Sequence, residues 1–328
     1  MTDYQYKVEA FSAHADAVLR IIQENSGGLL AGHLNPILNL TRNIPAYSGN
    51  FLEWHLNRII NPLDFICRVY DRGDGPLLTL NPVPFGKNLN ITKGYQKLID
   101  HSKNQFRYGI ENVFFEYDFP NPGVPSVFFD MNRKLVAGPA LKYDGLAEIC
   151  GHFQFDLPPG LFELLTNIHI HGFSNLHFGL MLSRESKAIR LTVNRFESGR
   201  LNELIPLLGW NGDIRLVSDL QKSFFCGQQL MLAVDFDGQC GPRLGIELCQ
   251  PNLETVLPQL ESCGMIDPDQ NSFLQHWNGN TELARPVAKA LSILHQRPVD
   301  RIHKYINHFK FAVEGRAVST KAYLYYCF

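Results

Sequence analysis

Five basic residues, Arg68, Arg190, Arg243, Lys310 and Lys321, sit where alternating sequence turns them away from an apolar face. Successive side chains of a strand point to opposite sides, so Leu63, Phe65, Cys67 and Val69 share one face while Asp64, Ile66, Arg68 and Tyr70 share the other. A row of cations facing one way suits a strong anion such as phosphate, which Arg grips through charge-assisted, often bidentate hydrogen bonds. Carboxylates share that face: Asp64, Glu116, Asp118 and Glu247. A carboxylate enclosed in a chamber has a raised pKa and can exchange protons near neutrality, which makes Asp64 and Glu116 the two candidates for an acid or base. Tyr70, Phe114, Phe128, Tyr323 and Tyr325 also face inward, and aromatic faces shield cations. With Asp118, His177, Met181 and Glu247, Phe114 and Tyr325 form a candidate acceptor pocket. The same residues could instead serve as structural ion pairs and ordinary packing.

Other spacings carry less. His169-Ile170-His171 followed by His177 has the spacing of a metal centre, and with it a hydrolase reading, but no carboxylate stands beside the first pair. Asp213, Asp235 and Asp237 fall near turns, where Asp satisfies local backbone groups. There is no P-loop, no dinucleotide fingerprint and no D-D-x-x-D cluster to hold a metal.

Five strand–turn–strand segments carry the inward residues: 63–81, 110–131, 176–195, 230–249 and 307–327. Helical periodicity lies between them, over about 8–23, 51–60, 93–102, 161–166, 201–208, 253–262, 271–277 and 281–295. Ten strands in antiparallel pairs, each with one apolar face, bury that face under helices. Joined edge to edge they leave no edge exposed. The expectation is an α+β protein in which five αββα units close a ten-stranded antiparallel barrel ringed by helices, over residues 1–328 as one domain. Ten strands enclose more room than eight, whose side chains nearly fill the interior, so the inner face lines a wet chamber. The second segment contributes acids and no base. It is expected on the acceptor side, with Arg190, Arg243, Lys310 and Lys321 on the donor side.

Composition agrees with a globular protein and excludes several classes. Of 328 residues 45% are hydrophobic and 19% charged, and Phe occurs 23 times, enough aromatic material for a core and a pocket. A formal charge of −2 offers no basic surface for nucleic acid. No stretch reaches the roughly 18 apolar residues of a membrane span. Seven scattered cysteines with no C-x-x-C pair, and no signal-like N-terminus, point to the cytoplasm.

Five αββα units closing a ten-stranded barrel resemble the ABBA, or PT-barrel, prenyltransferases, and two segments resemble the cyanobactin peptide prenyltransferases among them. Pro62-Leu63-Asp64-Phe65-Ile66-Cys67-Arg68-Val69 is similar to their first-strand segment of the form S-L-E-x-S-C-K-I, and the terminal KAYLYYCF from Lys321 to Phe328 to their aromatic closing strand. The resemblance implies a diphosphate site of Arg and Lys-x-Tyr residues: Arg68, Arg190, Arg243, Lys310, Lys321 and Tyr323. It implies a catalytic acid/base at Asp64, where the family pattern has Glu. It further implies dimethylallyl or a longer isoprenyl diphosphate as co-substrate, Mg²⁺ accompanying that diphosphate, and a ribosomal, macrocyclic peptide whose Arg, Tyr or Trp side chain is alkylated. A noncatalytic ligand-binding barrel is the rival reading.

Overall fold

Alternating segments of the chain pair into one ladder that returns to its own start. The computed structural model describes residues 18–24, 29–41, 47, 49–56, 62–70, 110–120, 122–131 and 139–328 apart from 174, 185 and 296. Its strands are β1 Gly49–His55, β2 Leu63–Tyr70, β3 Ile110–Tyr117, β4 Ser126–Met131, β5 Leu176–Leu180, β6 Ile189–Glu197, β7 Gln229–Phe236, β8 Cys240–Cys249, β9 Gly279–Glu282, β10 Arg301–Glu314 and β11 Ala317–Cys327. From β1 to β8 neighbours in sequence are neighbours in the sheet; β8 then pairs with β10, β10 with β11, and β11 with β1. Ten antiparallel strands thus close a barrel, as expected, and β9 adds to the first residues of β10.

The first hairpin differs from the expectation. Residues 51–60 were expected as helix, yet Gly49–His55 is a strand, pairing Leu52 with Phe65 on one side and Leu324 on the other. Phe51, Leu52 and Trp54 break the period of two because this strand is covered on both faces, which hides alternation. The hairpin is therefore 49–70 rather than 63–81. The expected return at 77–81, and the helix at 93–102, lie outside the described residues.

Helices occupy Leu161–Ile170, Leu201–Leu208, Leu253–Ser262, Pro268–Trp277 and Arg285–His295, close to where periodicity places them. Ala31–Thr41, Pro139–His152 and Ile214–Leu220 are further helices. Asp213 caps one of them by accepting from the Arg215 and Leu216 amides, and Asp267 forms a capping box with Gln270. No helix of the described residues is long and apolar enough to cross a membrane.

The core lies between barrel and helices. Phe65, Phe115, Phe129, Phe178, Leu191, Leu232, Ile246, Phe309 and Leu324, all on the outward parity, are at most 2% exposed. Helical residues complete it: Trp54 meets the edge of Phe273 at 5.3 Å, and Phe311 lies 5.0 and 5.1 Å from Phe224 and Phe225. Each such side chain contributes about 1.5–3 kcal/mol of burial. Ile66, Met181, Ala233, Ala312, Tyr323 and Tyr325 are also buried but stand apart from this core, on the inner face.

Candidate active site

Register turns the expected inward residues Arg68, Phe114, Phe128, Arg190, Glu247, Lys310, Lys321 and Tyr323 to one face, the lumen's, while the Tyr70 side chain lies outside the described residues. Paired residues of antiparallel strands share a face, and the pairs Arg68↔Phe114, Phe114↔Phe128, Gly179↔Arg190, Ala233↔Gly245, Glu247↔Lys310, Lys310↔Lys321 and Glu53↔Tyr323 run round the barrel. Inside, a cavity open to solvent, with ≈ 360 Å³ of empty space when that open solvent is included, is lined by Arg184, Arg190, Arg243, Lys310, Lys321, Tyr323, Glu53 and Asp235, with Ala233, Val234 and Gly245. Five cations and two carboxylates share its wall.

Each cation is held differently. Arg190 bonds Asp235 through Nε at 2.7 Å and Nη2 at 2.9 Å. Asp235 is thus an inward ion-pair partner and not a turn residue. Lys310 bonds Glu247 at 2.7 Å, and Lys321 bonds Glu53. Arg184, on the short helical turn Leu182–Arg184, reaches Glu116 at 2.7 Å and Asp118 at 2.7 and 3.0 Å. The Arg243 side chain has no ion-pair or hydrogen-bond partner among the described residues. The acids of the second hairpin therefore adjoin the cation cavity through Arg184 and do not form a separate acceptor side. The guanidinium they hold is the chain's own.

Electrostatics separate the two carboxylates on Arg184. Burial pushes the Glu116 carboxyl up, the charges of Glu53 and Asp118 push it further, and Arg184 only partly offsets them, leaving it at about 8. Asp118 goes the other way: burial would raise it, but hydrogen bonds and charge from Arg184, and the Ser183 hydroxyl 2.5 Å away, hold it low. Burial acts against Glu53 and Glu247 as well, yet Lys321, His55 and Lys310 around the first, and Lys310 and His308 around the second, keep both ionised. The Tyr323 hydroxyl is held protonated by burial and by the charges of Glu53, Glu247 and Glu116.

Neither Asp64 nor Arg68 lines this cavity, although Asp64 stands opposite Glu53 of its wall. Asp64 accepts from the Phe119 amide at 2.8 Å and faces His55 Nε2 at 2.8 Å, on the other strand of the first hairpin. Arg68, expected on the diphosphate, donates instead to Asn112 Oδ1 at 2.9 and 2.7 Å, with Asn112 bound to Asp130, and its guanidinium lies 5.9 Å over the Phe114 ring. Four rings join that end to the lumen: Tyr305 lies 4.8 Å from Tyr325, Tyr325 is 4.7 Å from Phe51, and Phe51 is 6.3 Å from Phe114. His177 bonds Asn194 at 2.9 Å, while His171 is exposed at a helix end, so the three histidines do not meet. Met181 is buried just past β5. Gly179 and Gly245 serve neighbouring side chains: a Cβ on Gly179 would lie 2.5 Å from Phe128, and one on Gly245 2.7 Å from the Lys310 stem.

Glu53, His55, Arg184 and Asp235 are site residues that sequence reasoning missed. Glu53 and His55 lie on the strand taken for helix, and Arg184 lies in a turn, where no periodicity exists to read. Glu53, His55 and Asp64 bring ligand atoms within 4.8 Å of one another. Magnesium prefers an all-oxygen shell. Here one ligand is an imidazole, Lys321 occupies Glu53, and His55 and an amide occupy Asp64. These residues do not fit a magnesium ion.

No family model and no curated protein matches the chain. Among solved structures it is similar to the prenyltransferase PriB in ternary complex with L-tryptophan and dimethylallyl thiolodiphosphate, at 11% identity and TM-score 0.43 over 96% of this chain and 95% of that one. It is also similar to the apo form of PriB, at 12% identity, TM-score 0.47 and 95% of each chain. A third is the 6-dimethylallyltryptophan synthase of Micromonospora olivasterospora in complex with DMASPP and Trp, at 15% identity, TM-score 0.47, 95% of this chain and 96% of that. At such identities and scores these likenesses carry no function across.

Proposed function

We propose that the protein is an isoprenyl transferase that moves a dimethylallyl or longer group from its diphosphate to a side chain of a peptide. The observation that supports it best is the cavity in which Arg184, Arg190, Arg243, Lys310 and Lys321 converge inside the barrel, next to the run of rings Phe51, Phe114, Tyr325 and Tyr305. The cations, with the Tyr323 hydroxyl, hold the diphosphate; as the C1–O bond breaks its electron pair passes to the diphosphate, whose growing charge they stabilise. The aromatic faces shelter the allylic cation from water. The acceptor's electron pair closes the new bond to C1, and its proton must leave.

Asp64 and Glu116 remain the carboxylates proposed for that proton traffic. Asp64 is held by His55, and Glu116, neutral over most of the physiological range, is suited to donating. Asp118, His177, Met181 and Glu247 are the residues proposed to meet the acceptor. A ribosomal, macrocyclic peptide as acceptor rests on the resemblance of the segments Pro62–Val69 and Lys321–Phe328. Because the cavity wall carries its own cations, no step is assigned to magnesium.

The test is incubation with dimethylallyl or geranyl diphosphate and cyclic peptides carrying one Arg, Tyr or Trp, read by mass. A gain of isoprene units with release of diphosphate supports the proposal. Tight donor binding with neither cleavage nor transfer supports a noncatalytic barrel and sinks it.

A further inference from the structure

On the inner face of β10, behind the Tyr323 ring that lines the cavity, stands a histidine that no motif marks. Between Ile306 and His308 the pairing with β11 shifts, so that Tyr305 opposes Tyr325 while His308 opposes Tyr323. One extra residue reverses strand parity, and both Tyr305 and His308 come to face the lumen. His308 is 7% exposed and stacks on Tyr323 with ring centroids 3.9 Å apart at 24°. Tyr323 lines the cation cavity and Tyr325 belongs to the run of rings, so His308 stands where the two meet.

One atom of this imidazole is left open. Asn307 Oδ1 lies 2.8 Å from Nδ1, and an amide oxygen only accepts, so Nδ1 carries the hydrogen and Nε2 presents its lone pair. Asn307 also bonds the Tyr305 side chain, which steadies its amide. His308 Nε2 is buried with no hydrogen-bond partner; Glu247 Oε2 is 3.5 Å away, too far for a good bond. Most buried polar side-chain atoms find a partner; among the described residues that do not, His308 stacks directly on a ring of the cavity wall. The carboxylates are already engaged: Asp64 with His55, Glu116 with Arg184, Glu53 with Lys321 and Glu247 with Lys310.

We infer that His308 Nε2, rather than the engaged Asp64 or Glu116, is the first to accept the proton that the acceptor loses during transfer, an inference that rests on the transferase reading above. The acceptor X–H forms an X–C1 bond with its own electron pair, the C1–O pair leaves with the diphosphate, and the proton of X passes to Nε2. The resulting imidazolium faces Glu247 and returns its proton to water when product leaves. Burial keeps the resting imidazole neutral, with a pKa near 4; Glu247 of β8 and Glu53 of β1 pull that value up, Lys310 of the same strand pulls it down, and the Tyr323 ring of β11 covers one face. So weak a base suffices for a Tyr or Trp acceptor, because the oxonium or arenium proton left by alkylation is strongly acidic.

The test compares His308→Phe, which keeps a ring on Tyr323, with His308→Gln, which returns an acceptor oxygen near the place of Nε2. Transfer from dimethylallyl diphosphate to the cyclic peptides should fall about 10²–10⁴-fold in H308F, and H308Q should recover at least about tenfold of it. Affinity for dimethylallyl thiolodiphosphate, measured by calorimetry, should stay within about threefold of wild type in both. Transfer by H308F within about threefold of wild type overturns the inference, and so does a loss of donor affinity that matches the loss of transfer. Wild-type protein that neither cleaves the donor nor alkylates a peptide overturns the transferase reading itself. Nitrogen-15 NMR of the wild-type imidazole needs no variant: a neutral ring protonated on Nδ1 is expected at pH 7, and a ring protonated on Nε2 refutes the assignment.

Discussion

Glu116 makes the protein's stability fall as pH rises through a window that the structure defines. Its carboxyl moves from an ordinary 4.5 to about 8 in the folded protein, because burial and two neighbouring carboxylates outweigh one shared guanidinium. The folded state therefore keeps a proton that the unfolded chain releases above 4.5. By linkage, stability is unaffected by this group below 4.5, declines between 4.5 and about 8, and stays reduced above. At about 1.36 kcal/mol per pH unit the full loss is about 5 kcal/mol. Glu116→Gln abolishes it, and the amide oxygen can still accept the Arg184 bond now 2.7 Å long. The variant should match wild type at pH 5 and exceed it at pH 8.5 by up to about 5 kcal/mol, or about 7 °C in melting temperature for 328 residues. Asp118 titrates below this window and Arg184 above it, so neither distorts the comparison. Thermal unfolding of both proteins from pH 5 to 9 measures the difference. Parallel curves, with the same offset at both ends, would refute the reasoning that burial and repulsion keep Glu116 protonated.

Three further outcomes follow from the lumen's contacts. Arg243→Gln should weaken binding of inorganic pyrophosphate by about 1.5–3 kcal/mol, on the order of 10–100-fold, while the melting temperature barely moves, because no carboxylate loses its partner; calorimetry and a thermal scan read the two effects separately. Lys310→Met leaves Glu247 buried without its cation and should cost about 3–5 kcal/mol in urea unfolding, most of which the double variant K310M/E247L regains. Gly179→Ala drives a Cβ against Phe128 at 2.5 Å and Arg190 at 3.2 Å and should destabilise by about 1–3 kcal/mol; Phe128→Leu added to it should relieve part of that loss.

Much of the barrel can be read from residue order, because the side-chain period of a strand is a local property. In β6 and β8, Ile189, Leu191 and Val193 oppose Arg190 and Thr192, and Leu244, Ile246 and Leu248 oppose Arg243 and Glu247, and the barrel keeps every one of those parities. Where both faces are covered the signal disappears. Phe51, Leu52 and Trp54 of β1 imitate a helix, and that hides the inward parity of Glu53 and His55. Turns have no period at all, which is why Arg184 could not be placed. The β10 bulge is equally silent: alternation puts His308 inward with Lys310 and Ala312, but Asn307 looks like any other strand residue, yet it turns Tyr305 to that same side.

Sequence alone therefore determined which side chains share a face and, through the alternation of apolar with charged residues, that the inner face would be wet. Only tertiary structure decided who meets whom. Lys321 and Glu53 stand 268 residues apart and touch because β11 closes on β1. Arg68 has the parity of the other cations but lies along the barrel at the aromatic end, since parity sets the side of a strand and says nothing of height within a barrel. Charge pairing depends on that height and on closure, and both are fixed by the register of strands far apart in the chain.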